Sequence, residues 1–207
     1  MEQADAAIAR YRGGERRDLD QRQLTQLVNA AWAAGLSLLM AGRRHDASKW
    51  LRTAAARYRE SWDAGAPADS WGRPIAAMKA LLLAGDDASG PAHWALEAGA
   101  EDVASPIGRY AGALALLVLG RDADAGRVAS TLRDDESFPQ DVADGLVALA
   151  AHEEGGYRVA ASAILSSFES RDGFLEDVRV ADTVLVLELL AAPRGLAAEL
   201  PRNALLP

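Results

Sequence analysis

Side chains able to do chemistry are few in this chain, and they are scattered. Three histidines stand at 45, 93 and 152, and there is no cysteine. Disulfides, thiolate metal sites and a cysteine nucleophile are thereby excluded. His152-Glu153-Glu154 opens like a zinc-binding helix. No histidine follows four residues on, and Gly155-Gly156 is expected to end the helix there. His45 and His152 fall in corresponding breaks between apolar runs, with Asp46 and Glu153 beside them. A metal bridge across those breaks is conceivable, but single charged residues in breaks read as solvated turn residues. Carboxylates gather at Asp86-Asp87, Asp122/Asp124 and Asp134-Asp135-Glu136. Acid–base catalysis needs two such groups converging in a cleft with separated pKa values, and all of these belong to expected turns. Gly85-Asp86-Asp87-Ala88-Ser89-Gly90 lacks the lysine of a phosphate loop, and its own charge repels phosphate. No Gly-x-Ser-x-Gly elbow occurs. The sequence assigns no catalytic residue, no metal ligand and no cofactor.

Binding chemistry is better represented. All five tryptophans (Trp32, Trp50, Trp62, Trp71 and Trp94) lie in the first 94 residues. Tryptophan covers a large area at low entropic cost, which suits binding hot spots; it equally fills joints between helices. Joint-filling is the expectation for Trp32, Trp50 and Trp94. Trp71, at the edge of the Ala64–Ser70 linker, serves either purpose. Lys79 is the oddest residue, because Ile75 to Leu83 around it is apolar. It either snorkels from a helix flank or marks a site. Glu188, within the apolar run Val184 to Leu190, poses the same question.

Composition bounds the partners. At 207 residues the chain suits one domain, 1–207. Half of it is apolar and a quarter charged, an ordinary globular balance. A net charge of -8 disfavours nucleic acid and anionic membranes. Apolar runs near 30–41, 110–119 and 183–192 fall short of the roughly 20 residues a bilayer needs. No apolar leader follows Met1, so a cytoplasmic location is expected.

The elements that must carry these residues are helices. Apolar residues recur at three-to-four spacing from Leu24 to Leu39, and Asp18 or Asp20 caps that helix. Asp46 is the expected cap of the next, which reaches about Asp63. A second hairpin starts near Ser70–Pro74 and returns from Pro91; Ser105-Pro106 and Phe138-Pro139 open two more. The fourth return helix is expected to bury Val159, Ala163, Ile164 and Phe168. A final helix from about Asp177 to Ala192 holds several valines, with a strand as the rival, and the tail 196–207 caps it. The breaks repeat: an Ala/Leu-rich run closes on glycine at 42, 85, 120 and 155, followed by charged residues and another Ala-rich run. A period of this order marks stacked helical hairpins.

On these residues the chain resembles the tetratricopeptide-repeat family over about 20–170. Gly35, Gly42, Ala47, Leu51 and Ala54 match its small–turn–small–large–small pattern in full. Ala113, Gly120, Ala125 and Ala129 match in part, as do Ala148, Gly155, Ala160 and Ile164 with Tyr157. The second copy departs, with Met78 and Gly90 in the small positions. The resemblance implies an all-α fold of tandem antiparallel hairpins, either a short solenoid or a compact array, with a capping helix and tail at about 177–207. It further implies a groove lined by the first helix of each hairpin. Trp32, Lys79 and Tyr110, with Arg109 close by, would face that groove and suit an acidic peptide end or an anionic small molecule. The expected function is non-catalytic binding or scaffolding of a protein or peptide. Two alternatives stand beside it: an immunity- or regulator-type protein that neutralises a basic partner with its acidic surface, and a helical enzyme with a pocket near Lys79, Arg109 and Tyr110.

Overall fold

A computed structural model describes residues 1–16 and 18–207. Among the described residues all regular structure is helical. The helices are α1 (Glu2–Gly14), α2 (Gln21–Met40), α3 (Arg44–Asp63), α4 (Gly72–Ala84), α5 (Ser89–Glu97), α6 (Pro106–Val118), α7 (Asp122–Arg133), α8 (Gln140–Ala150), α9 (Glu154–Glu169) and α10 (Asp182–Ala191). Each helix from α1 to α9 packs against its neighbour in the chain. None is long and apolar enough to cross a membrane.

Local chemistry sets the helix ends. Asp20 accepts from the Gln23 amide at 2.8 Å while the Gln23 side chain accepts from the Asp20 amide at 3.1 Å. This reciprocal box satisfies amides that the first turn leaves unpaired. Ser105 caps α6, and Pro106 starts it. Asp46, by contrast, lies inside α3 and caps nothing; it takes both the Nε and Nη2 hydrogens of Arg43 instead.

The four hairpin turns share one backbone pattern. Amides of Gly42, Gly85, Gly120 and His152 each bond the carbonyl three residues back, and the next amide bonds the carbonyl five residues back. This is the Schellman closure, which needs a left-handed residue at its centre. That residue has φ +74°, +79° and +69° in the three glycines and +55° in His152. The fourth break therefore centres on His152, not on the expected Gly155. Gly155 and Gly156 lie in the first turn of α9, where the Glu153 carboxylate caps the Gly156 amide at 3.3 Å. The shift in register carries through α9. Tyr157, Ala160, Ala161, Ile164, Leu165 and Phe168 are buried, whereas Val159 is 72% exposed and Ala163 faces solvent. In this register Gly145 is the counterpart of Gly35; each lets the return helix come close, toward Ile164 and Leu51 respectively.

The valine-rich segment is helical, as expected, over Asp182–Ala191, but its first residues are not. Residues 175–177 form a single 3-10 turn, and α10 starts only at Asp182. Val178 and Val180 are buried and Arg179 is exposed, the period-two pattern of an extended chain. These valines pack on the N-terminal core with α1–α3, while α10 joins the C-terminal core. The tail returns so that the Leu205 carbonyl accepts the Ala181 amide at 2.9 Å. Helix α4 joins the two cores: Ala77 and Ala80 face one, Ile75 and Met78 the other.

Candidate functional site

The first helices α4, α6 and α8 lie side by side, and α10 packs across α4 and α8 and against α9. The face expected to be an open groove is thus covered by the chain itself. Lys79 is 8% exposed there. Its Nζ donates to Asp182 Oδ2 and Thr183 Oγ1, both at 2.9 Å, and lies 6.0 Å from the Tyr110 ring centre. Burial pushes this ammonium pKa down; Asp182 and Tyr110 outweigh burial and hold it above the ordinary lysine value. Glu188, the other charged residue in an apolar run, accepts from the Tyr157 hydroxyl at 2.6 Å. Burial and that carboxylate push the Tyr157 phenol up. Lys79 and Glu188 each fix α10 to a different helix, through α4 and α9.

The remaining expected site residues disperse. Trp32 is buried in the N-terminal core, away from the cluster that holds Trp71 and Tyr110. Tyr110 is 8% exposed and packs on Phe138 with ring centres 5.6 Å apart. Arg109 turns to the end of α7, donating to the Thr131 carbonyl at 2.9 Å and to Asp135 Oδ2 at 2.6 Å. Trp71 is buried against Trp62 at 6.3 Å, and Trp62 stands edge-on to Trp94 at 5.4 Å. These three indoles fill the joint of α3, α4 and α5, the structural role expected of Trp94. Structure unites Lys79 with Tyr110 under α10 and leaves Trp32, Trp71 and Arg109 elsewhere.

A different recess is open to solvent. Helices α3 and α5 both pack on α4 and flank it. Their facing side chains are small, Ala55 and Ala56 on α3 and Gly90 and Pro91 on α5, so a trough of about 430 Å³ remains between them. Leu81 and Ala77 of α4 form its floor, and Trp94 closes one wall. Arg52 and Arg59 stand on its α3 rim. Arg52 holds both oxygens of Asp86 through Nε and Nη2. Arg59 uses only Nε on Asp63, at 3.0 Å to each oxygen, and its guanidinium carbon lies 5.2 Å from the Trp94 ring centre. Apolar walls with a few placed polar groups are the usual makeup of a binding recess. Sequence inspection passes over it because alanine and glycine carry no chemistry. The available signal was Ala54-Ala55-Ala56 in one return helix and Gly90-Pro91 in the next.

The acidic turns do not converge. Asp122 binds Arg194 through both oxygens and meets His152 Nε2 at 2.7 Å, which ties the segment after α10 to the start of α7. Hydrogen bonds from Arg194, opposed by partial burial and aided by His152, hold the Asp122 carboxyl below the usual range. Among the described residues no three His, Asp or Glu side chains are arranged to hold a metal ion. The chain matches no protein-family model, no curated protein and no solved structure.

Proposed function

We propose that this chain is a non-catalytic helical-hairpin module that binds a protein or peptide segment, and that it does so in the trough between α3 and α5. The single observation that carries this function is the trough itself: apolar walls, an aromatic side and two arginines on its rim, all set on packed helices. Rigid elements with small facing residues leave a preformed recess, and an apolar side chain entering it loses water without rearranging the protein. The resemblance to tetratricopeptide repeats supports the same class of work by analogy of fold. The surface differs, because α10 covers the first-helix face that the resemblance designates.

Panning a displayed library of helical peptides against the chain tests this function. Enriched peptides are expected to shift the NMR resonances of Ala55, Leu81 and Trp94, and to bind Ala56→Gln at least tenfold more weakly. Ala56 is exposed, so that change puts an amide in the trough without disturbing the core. Enrichment of no peptide, or of peptides that shift only distant resonances, would overturn the proposal.

A further inference from the structure

Resting on that function, we infer that the segment taken by the trough is an acidic amphipathic helix, with a large apolar anchor and a carboxylate one turn from it. The anchor follows from the walls: Ala55, Leu81 and Trp94 offer an apolar slot in which an uncompensated polar group would lose its water. The carboxylate follows from the rim. Asp86 already takes Nε and Nη2 of Arg52, so of the two rim arginines Arg59 is the one with both terminal nitrogens open. Asp63 grips the Nε edge of Arg59, and Trp94 lies beneath the guanidinium. That side chain is held in place while its two terminal nitrogens have no hydrogen-bond partner among the described residues. A guanidinium fixed from behind with its outer edge open is a receptor for one carboxylate. The charge setting agrees with this. The chain as a whole is acidic, whereas α3 carries five lysines and arginines against three acidic residues. A helix is the fitting form because a carboxylate at i shares one face with an anchor at i+3 or i+4.

The test uses two synthetic 16-residue helices with the same leucine and tryptophan stripe, one flanked by glutamates and one by lysines. Each is titrated against the full chain and against its Arg59→Glu and Arg52→Glu variants. Both arginines are about half exposed, so the variants keep the fold, and circular dichroism verifies this. The acidic helix is expected to bind at least fivefold more tightly than the basic one. The Arg59 reversal should weaken it by about fivefold, as loss of an exposed ion pair would, and shift preference toward the basic helix; the Arg52 reversal, at a guanidinium already held by Asp86, should weaken it less. Equal binding of the two helices, or preference for the basic one, would overturn the acidic partner and leave the trough's function standing. If neither helix binds while library peptides do, the partner class is again wrong and the function survives. If neither the helices nor any library peptide binds, both fall.

Discussion

At the scale of single residues, charge in this chain works mostly as mortar. Arg43 and Asp46 after the first turn, and Arg121 and Asp124 after the third, make the same pairing three residues apart. The notion of solvated turn residues fits them. It does not fit Asp122, whose partner Arg194 is 72 residues away with its side chain only 9% exposed. No spacing rule finds such a pair, because it exists only once the chain has returned on itself. Its consequence is a pH dependence of known sign. The Asp122 carboxyl is held below its unfolded value near 3.9. It therefore stabilises the fold at all pH above that value, and the contribution is lost as pH falls through the lower, folded value. Asp122→Asn should cost on the order of 1 kcal/mol in urea midpoints at pH 5 to 7, with the gap to wild type closing below about pH 4. A gap that does not narrow at all as pH falls from about 4 to about 2 would show that the charge of Asp122 is not what matters.

At the scale of elements, most helices were legible because their apolar stripes, caps and prolines agree with one another. Asp20, Ser105 and Pro106 all stand where the sequence places them. Two errors have physical causes. Glycine marks the left-handed residue in the first three turns, whereas in the fourth His152 adopts that conformation, three residues before Gly155. α10 starts later than its apolarity implies, because Val178 and Val180 suit a helix by apolarity alone, while in the fold they alternate along an extended segment. Lys79 is unusual in its apolar run, and its role depends on Asp182 and Thr183, more than 100 residues on. The pair predicts how α10 is retained. Lys79→Ala would leave Asp182 without its partner and should cost about 3 kcal/mol by chemical denaturation. Lys79→Met with Asp182→Leu, replacing the pair by apolar contact, should recover most of that loss. If Lys79→Ala costs nothing measurable, α10 is held by packing alone; if the double variant is no better than the single one, apolar contact does not replace the pair.

At the scale of the whole molecule, one chain makes two cores with α4 common to both, and closes the first-helix face with its own C-terminal helix. The all-helical class was readable from periodicity. The closure was not, since nothing in the sequence of α10 says which apolar face it will cover. With that face closed, the binding surface we propose is the trough outside α4, where Arg59 and Trp94 meet. The most direct measurement is an NMR titration of the isotope-labelled chain with the acidic 16-residue helix. The account predicts saturable shifts confined to Ala55, Ala56, Leu81, Trp94 and the Arg52 and Arg59 side chains, with Val184 and Leu187 of α10 unmoved. Saturable shifts centred on Lys79, Tyr110, Val184 and Leu187 would instead mean that the ligand enters beneath α10, and would contradict it.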